Sequence, residues 1–435
     1  MTVLLIELNE INFDQVRTFV ARGKLPTLGR LIARHGVSET TSEATYAEWE
    51  PWIQWVTAHT GRTLAEHAVF RLGDIIEHPD LPQIWEVLEA QGVRVGAVSP
   101  MNALNKCRDA AFFVPDPWTR TEVTGSPTMK RLYGAVAQAV NDNAEAKVAK
   151  GSLVGLAAGL AAYARPANYA HYLGLAAGAA RGKPWRKAIF LDQLLSDVFV
   201  RQVKATRPGF ASLFLNAGAH IQHHYLFNSA AYDGPLTNPA WYVDADADPI
   251  LEVLELYDRT LAQVAAAAPD ARLIVATGLH QVPHDALTFY WRIKDHAAFL
   301  GRTGVPHARV EPRMSRDFVL FAADAAQAAD AERRLAAAVG PDETPLFAID
   351  NRGDSLFVEL VWPHDIGDDF VFRIGNESFA KLRQEVAFVA IKNGEHDGIG
   401  YVVDTARDVS QGPERFALAE LLARIAAGCG ARWPQ

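Results

Sequence analysis

Cysteine is nearly absent from the chain, and the two that occur form no recognisable pattern. Cys107 and Cys429 are far apart in the sequence, and neither belongs to a C-x-x-C motif. Such spacing gives no sign of a disulfide framework. We therefore expect a protein of a reducing compartment.

Long apolar runs and a basic leader are also missing. The longest run of small apolar residues, 153–162, is well short of the roughly 20 residues of a membrane-spanning helix. The amino terminus is apolar, but Glu7 and Glu10 interrupt it and no basic residue precedes them, which predicts a first β-strand and no signal peptide. These absences predict a cytoplasmic protein with no membrane partner.

Blocks of like charge do not occur, although the net charge is -9 over 435 residues. Binding to a phosphate backbone needs a basic stripe, so no nucleic-acid partner is expected. An acidic protein that acts on a small anionic substrate needs a local cation, and a bound metal ion would supply one. The sequence does not indicate an oligomeric state.

Alternating strand and helix patterns predict one large α/β protein. Apolar runs such as 3–6, 213–215 and, within the predicted strand 272–276, the four residues after Arg272 are typical of buried parallel strands, and helical patterns lie between them. We predict a doubly wound, mostly parallel sheet flanked by helices over residues 1–435. Residues 130–204 are expected to form an inserted helical cap, and residues 310–365 a small α+β insertion.

Three histidines follow the strand at 213–215 within a few residues. His220 and His224 are four positions apart, so on a helix they share a face and can bind one metal ion. His223, three positions from His220, could replace its neighbour in that pair. The alternative is an exposed helix start whose histidines are solvated or cap the helix.

Polar side chains recur where four predicted strands end. They are Glu7 and Asn9, His220 and His224, His280, and His396. Because the carboxyl ends of the strands meet at one edge of a doubly wound sheet, we expect these side chains to converge there. His284 and His223 are neighbours that could be the real ligands, and Glu7 with Asn9 could merely cap a strand end.

A tryptophan-rich segment, 44–61, contains two further acidic candidates. Glu48 and Glu50 stand at the start of a predicted helix, where a carboxylate either caps the helix or belongs to a site. His59 and His67 lie in or after this segment, and either line a pocket or pack inside the protein.

Several motifs, in order, resemble the alkaline phosphatase superfamily in its phosphodiesterase/nucleotide pyrophosphatase branch. Residues 4–9 and 23–28 are similar to the family's first strand, which normally ends in Asp-Gly, and its G-x-L-P-N-L helix. Residues 58–61 and 66–70 resemble its A-T-G…K-H-G-I-F segment. His220 with His224 matches the D-x-x-x-H metal pair, Leu279-His280 the D-H of S-D-H-G, and residues 394–396 the late G-x-H.

The sequence departs from the family pattern at the positions that carry the chemistry. Asn9 stands where the first metal aspartate is expected, unless Glu7 takes that role, and His220 and Leu279 replace two more aspartates. The usual Thr or Ser nucleophile should lie within residues 45–51, where Thr45 is the one hydroxyl candidate and stands early in the segment.

The resemblance therefore implies a metal-dependent hydrolase of a phosphate or sulfate ester with altered ligands. One metal would be held by His220, His224 and His396, and a weaker second one by His280 with Glu7 or Asn9; zinc is expected, with iron or manganese as alternatives. A metal-bound hydroxide is expected to attack directly, with Glu48 or Glu50 as ligand or general base, in preference to a covalent intermediate on Thr45. The alternatives are a non-hydrolytic metalloenzyme, such as a lyase or an iron redox enzyme, and an inactive family member that binds a ligand or partner.

Overall fold

The computed structural model of the protein describes residues 1–141, 150–313 and 316–433. It has two compact units. The first comprises Met1–Pro235, Pro239–Pro283 and Gly394–Gln435, and the second Leu236–Asn238 and His284–Asn393. The segment predicted as a small α+β insertion, 310–365, belongs to the second unit.

Strands and helices alternate along the chain up to residue 276. In order they are β1 (Val3–Leu8), α1 (Phe13–Ala21), α2 (Pro26–His35), β2 (Ser38–Thr41), α3 (Pro51–Thr60), α4 (Leu64–His67), α5 (Ile84–Ala90), β3 (Val95–Val98), β4 (Phe112–Val114), α6 (Pro127–Asn141), α7 (Lys150–Tyr163), α8 (Tyr169–Ala180), α9 (Arg186–Thr206), β5 (Phe210–Leu215), α10 (Ala217–Tyr225), α11 (Pro249–Ala267) and β6 (Arg272–Ala276). The helical pattern predicted over 14–34 forms two helices because Pro26 begins the second, a position that proline favours.

The rest of the chain contains the second unit and the last elements of the first. In order they are β7 (His280–Ile293), α12 (His296–Arg302), β8 (Arg309–Pro312), β9 (Asp317–Phe321), α13 (Ala325–Ala336), β10 (Ala338–Val339), β11 (Phe347–Asn351), β12 (Ser355–Leu360), β13 (Val371–Ile374), β14 (Glu377–Ala380), α14 (Leu382–Glu385), β15 (Val386–Asp397), β16 (Ile399–Asp404), β17 (Arg415–Ala417) and α15 (Leu421–Gly428). The second unit has two antiparallel sheets, of order β11-β12-β9-β8 and β10-β13-β14.

A mixed eight-stranded sheet forms the centre of the first unit, in the order β17-β2-β16-β6-β1-β5-β3-β4. β1 is parallel to β5 and β6, and β3 is parallel to β5 and β4. β16 runs antiparallel to both of its neighbours, β6 and β2. The prediction of a mostly parallel sheet flanked by helices is confirmed. Since β16 is reversed, its first residues lie at the edge where β1 and β6 end.

Both faces of this sheet are covered, which explains why β1 is apolar without alternation. Leu4, Ile6 and Leu8 pack in the core with side chains from α9, α10 and α11. Val3 and Leu5 point to the opposite face and pack with Trp55, Trp85 and α15. The two cores hold β1 rigidly and so fix the position of the residues that follow it.

Between β4 and β5 lie the four helices α6, α7, α8 and α9, which begin at Pro127 and end at Thr206. Pro166 begins a short 3-10 turn before α8, and Pro184 precedes α9, so each proline stands between helices. Among the helices that the structure describes, none is both long and apolar enough to cross a membrane.

Candidate metal centre

The edge of the central sheet brings together three side chains from distant parts of the sequence. Glu10 follows β1, His223 lies on the helix after β5, and His396 precedes the reversed strand β16. Their ligand atoms lie within 4.8 Å of one another. Within residues 1–141, 150–313 and 316–433, they form the one group of three histidine, cysteine or carboxylate side chains with that geometry.

The backbone of Glu10 is held in an unusual conformation. Its φ is 60°, in the left-handed region that few non-glycine residues adopt. The amide donates to the Thr277 carbonyl at 3.1 Å, and the Glu10 carbonyl accepts from the Gln281 amide at 3.1 Å and from Gln222 Nε2 at 2.8 Å. These bonds stabilise the turn, which directs the carboxylate toward the histidines.

The buried carboxylate of Glu10 is surrounded by nitrogen atoms. Asn9 Nδ2 donates to Oε1 at 2.9 Å, and Gln281 Nε2 donates to Oε2. The Nε2 atoms of His223 and His396 each lie 3.1 Å from the same Oε2. Burial raises the pKa of Glu10, but His396 and His223 lower it more strongly, so the net pKa is well below its usual range. The carboxylate is therefore anionic at neutral pH.

The ring of His223 directs its Nε2 at the carboxylate of Glu10. Its Nδ1 lies 3.2 Å from the Gly394 carbonyl oxygen, which accepts only, so Nδ1 carries the hydrogen. A neutral ring would then direct the Nε2 lone pair at the Glu10 carboxylate, and two acceptors 3.1 Å apart repel each other. Either a proton or a metal ion must compensate. An Nδ1–H bond to a backbone carbonyl is the usual way in which a metal-ligating histidine is oriented.

The donor set and its spacing fit a divalent metal ion. Ligand atoms about 2.0 to 2.2 Å from one tetrahedral zinc ion lie roughly 3.3 to 3.6 Å apart, close to the 3.1 Å that separates each imidazole nitrogen from Glu10 Oε2. Two histidines and one carboxylate with open positions are typical of catalytic zinc and of non-haem iron. Glu10, His223 and His396 are therefore the residues that could hold a metal.

Glu50 lies beside the three ligands. It occupies the N-cap position of α3, yet its side chain makes no capping hydrogen bond. Instead Oε2 is 3.7 Å from His396 Nδ1. Burial and the nearby charge of Glu10 raise the pKa of Glu50, although His396 and His223 act in the opposite direction. Helix capping, the alternative role that the sequence offers for Glu50, therefore does not explain the position of its side chain.

Glu48 and Thr45 have other surroundings. Glu48 ends a 3-10 turn, Tyr46–Glu48, and its backbone carbonyl accepts from Gln54 Nε2 at 3.0 Å. Thr45 precedes that turn, is exposed, and offers its carbonyl to the Glu48 amide at 3.0 Å. Neither belongs to the group of three ligands. Catalytic roles for these two residues and for Glu50 stay predictions.

His220 and His224 do share a face of α10, with ring centroids 4.9 Å apart, but the group around His396 contains neither of them. His223 and Glu10 take their place. Gln222 fixes this rotation of α10, because its Nε2 donates to the Glu10 carbonyl and its Oε1 accepts from the Asn12 amide. The burial of Ile221 and Tyr225 fixes the same rotation. His220 is exposed and His224 half-buried.

The residues expected at a second metal position have other partners. Glu7 accepts from His59 Nε2 at 2.8 Å inside the core. Asn9 accepts from Trp55 Nε1 at 2.7 Å and donates to Asn216 and Glu10. His280 donates from Nδ1 to the Ile399 carbonyl at 2.7 Å and packs against Tyr401. In the part of the chain that the structure describes, neither Glu7 nor His280 belongs to a group of three histidine, cysteine or carboxylate side chains that could hold a metal.

The remaining histidines considered from the sequence have structural partners. His59 and His67 are both buried, which favours packing over pocket lining. His67 lies 3.2 Å from Thr57 Oγ1, its Nδ1 accepts from the Val69 amide, and burial lowers its pKa to about 4. His284 belongs to the second unit, where its ring lies 3.3 Å from Thr288 Oγ1.

Two residues of this centre, Glu10 and Gln281, are not identified by the sequence analysis. Strand alternation places Glu7 and Asn9 on one face and so favours them over Glu10 as site residues. The positive φ of Glu10 leaves no signal in the sequence. Gln281 follows His280 directly, yet a lone glutamine carries no recognisable pattern. His223 was present as an alternative ligand.

Comparisons with solved structures give full-length likenesses of low identity. The chain is similar to phosphonoacetate hydrolase from Sinorhizobium meliloti 1021 (14% identity, TM-score 0.47, 99% of this chain and 96% of that chain). It is also similar to human ectonucleotide pyrophosphatase/phosphodiesterase 5 (10%, 0.43, 100% and 96%) and to the murine protein (10%, 0.41, 100% and 97%). At these identities and TM-scores the comparison assigns no activity to this chain, and no family model or curated protein sequence matches it.

Proposed function

We propose that the protein is a metal-dependent hydrolase of a phosphate or sulfate ester, with one catalytic metal held by Glu10, His223 and His396. The observation that supports this most directly is the convergence of three ligand atoms from three distant segments within 4.8 Å. The His223 ring adds to it, because its Nδ1 bond to Gly394 leaves Nε2 facing an anion.

A divalent metal in this position would act as a Lewis acid and would lower the pKa of a bound water. The residues around this metal position have two different roles in the proposal. Asn9 and Gln281 donate to Glu10 and fix the carboxylate, so they are positioning residues. Glu50, with a raised pKa and an oxygen 3.7 Å from His396, is placed to accept a proton as general base.

The anionic substrate in this proposal is attracted by the metal and contacts imidazoles of α10. The protein has net charge -9, so a local cation is needed to bind a phosphate or sulfate group. His220 and His224 lie on the same helix as His223 and offer further ring nitrogens. We assign them to substrate contact in this proposal.

A second candidate function follows from the ligand composition. Two histidines and one carboxylate form the facial set of non-haem iron enzymes as well as that of hydrolytic zinc enzymes. A redox reaction at iron is therefore the alternative, on the same three residues. Metal identity separates the two proposals.

The test measures metal and activity on the same purified full-length protein. Metal content by mass spectrometry is compared for the wild type and the variants Glu10→Gln and His396→Ala. Metal-reconstituted protein is then assayed on chromogenic phosphomonoesters, phosphodiesters and sulfate esters, with Glu48→Gln as a control outside the ligand group.

We expect about one metal ion per chain in the wild type and in Glu48→Gln, ester hydrolysis by the wild type, and loss of both metal and hydrolysis in the ligand variants. Tight iron with no ester turnover would support the redox alternative. Absence of bound metal in wild-type protein supplied with zinc, iron and manganese would reject both proposals and leave a binding protein.

A further inference from the structure

The helix α8 exposes apolar side chains where a surface helix normally has polar ones. Tyr172 and Leu175 are buried, and the opposite stripe consists of Tyr169, Leu173, Ala176 and Ala180. At about 100° per residue these four positions fall within one narrow face. Leu173 is 72% exposed and Tyr169 50%. A helix that is apolar on all sides is usually covered on all sides.

The preceding helix, α7, has the same property. Gly159 is buried against Leu132 of α6, whereas Val154, Ala157 and Ala161 face outward on one stripe. Val154 is 71% exposed. Among the residues that the structure describes, Leu173 and Val154 are the most exposed large apolar side chains apart from Met1. Two successive helices therefore present apolar stripes.

The charge of this part of the chain is opposite to that of the whole. Residues 150–187 contain six Lys or Arg and no Asp or Glu, in a protein of net charge -9. Arg181, Lys183 and Lys187 follow α8 directly. Lys130 and Arg131 are exposed on α6, the helix that packs against α7. Positive charge therefore follows α8 in the sequence and is exposed on the helix that packs against α7.

We propose that the exposed stripes of α7 and α8, here called the apolar cap surface, dock on an anionic lipid bilayer. Apolar side chains would enter the boundary of the acyl chains while the flanking lysines and arginines contact anionic headgroups. With 14 and 12 residues, α7 and α8 are shorter than the roughly 20 residues that span a bilayer, so the surface lies on the membrane and does not cross it. This proposal replaces the sequence-based expectation of no membrane partner, and it is independent of the chemistry at Glu10.

The test is co-sedimentation of the full-length protein with vesicles. Vesicles of phosphatidylcholine alone are compared with vesicles that contain about 30 mol% phosphatidylglycerol. We expect binding that is about tenfold stronger on the anionic vesicles and that weakens when NaCl is raised from about 0.05 to about 0.5 M.

Two pairs of variants separate the apolar and the charged contribution. Vesicle binding should fall about tenfold in the pair Val154→Ser with Leu173→Ser, because it removes apolar area that enters the bilayer. It should fall about tenfold as well in the pair Lys183→Glu with Lys187→Glu, because it removes contacts with anionic headgroups. Matched controls are Val371→Ser with Val409→Ser, two exposed valines elsewhere, and Arg22→Glu with Lys24→Glu, which should bind as the wild type does.

Two results would overturn the proposal. One is the absence of binding to anionic vesicles at low salt by folded wild-type protein. The other is the absence of vesicle binding together with a dimer in sedimentation velocity, if the double variant Val154→Ser with Leu173→Ser dissociates that dimer. This result would assign the apolar cap surface to a second copy of the chain. Because α7 and α8 expose these side chains, the variants should fold, and circular dichroism checks this.

Discussion

One oxygen atom, Oε2 of Glu10, faces three nitrogen atoms in the folded chain. Gln281 donates to it, and the Nε2 atoms of His223 and His396 lie 3.1 Å away. A divalent cation at this point would neutralise the buried anion and take both imidazole nitrogens as ligands.

The first prediction concerns Glu10 itself. Glu10→Gln keeps the shape and the hydrogen bond to Asn9 but removes the anion, so we expect metal content to fall from about one ion per chain to below about a tenth. Mass spectrometry of dialysed protein measures this. Glu48→Gln is the control, because it also neutralises an acid of the first unit but lies outside the group of three. Full metal content in Glu10→Gln would exclude Glu10 as a ligand.

The second prediction separates Glu50 from the ligands. If Glu50 accepts a proton, Glu50→Gln should lower kcat by about 10² to 10⁴ while metal content stays at the wild-type value. KM should change little, because the metal still binds the substrate. Steady-state kinetics on the best ester substrate gives this split. Loss of metal in this variant would make Glu50 a ligand instead.

At the residue scale the sequence predicts some of the centre and misses the rest for physical reasons. His396 follows from the polar residues at the end of a predicted strand, and it belongs to the group of three with Glu10 and His223. Glu10 could not be predicted, since the positive φ that turns it away from the Glu7 and Asn9 face depends on bonds to Thr277, Gln281 and Gln222. Those partners come from distant segments.

Among the elements, α10 determines the centre because it carries His223. Its start is held by buried polar groups: the Ala217 amide donates to Asp192 at 2.8 Å, and the Gly218 amide donates to the Tyr257 hydroxyl at 2.8 Å. Tyr257 in turn donates to Asp192 at 2.7 Å. This network fixes both the position and the rotation of the helix.

Tyr257→Phe should therefore weaken the centre from a distance. The loss of the hydroxyl leaves the Gly218 amide without its partner, which should cost about 1 to 3 kcal/mol of unfolding free energy and reduce metal affinity about tenfold. Tyr172→Phe is the matched control, since Tyr172 is also buried and donates to an aspartate, Asp197. Both variants should lose stability, but only Tyr257→Phe should lose metal affinity in a titration.

Asp192 also predicts a pH dependence of stability. Burial raises its pKa to about 7, although the donors around it act in the opposite direction. The folded state then keeps a proton that the unfolded chain releases near pH 4, so the unfolding free energy should fall as pH rises from about 4 to about 7, by up to about 1.4 kcal/mol per pH unit. Denaturation of wild type and Asp192→Asn at about pH 5 and pH 7 tests this. An equal difference between the two proteins at both pH values would contradict it.

The rotation of α10 decides which of its histidines joins the group with Glu10 and His396. Spacing correctly places His220 and His224 together, because residues four apart share a face. Which face meets His396 depends on tertiary packing. Gln222 donates to the backbone carbonyl of Glu10, and this hydrogen bond turns the next residue, His223, toward Glu10 and His396. His224 points about 100° away from His223 around the helix axis.

For the molecule as a whole, the strand patterns were sufficient to predict a mostly parallel sheet, and β1, β5 and β6 confirm it. The reversal of β16 could not be read from its apolar run, because parallel and antiparallel buried strands look alike in sequence. That reversal is nevertheless what brings His396 to the edge where Glu10 lies. A chain of the same composition with β16 parallel would place His396 at the opposite edge.

The last prediction uses the division of the chain into two units. All three proposed ligands belong to the first unit, so metal should slow hydrogen exchange there and not in the second unit, residues 284–393. At free metal of about 100 times Kd, amides that exchange through unfolding of the first unit should slow on the order of 100-fold. Exchange mass spectrometry with zinc and with a chelator measures this peptide by peptide. Glu48→Gln should show the same contrast and Glu10→Gln none. Equal slowing in peptides of β9 and β12 would mean that the metal stabilises the chain through a site other than the one formed by Glu10, His223 and His396.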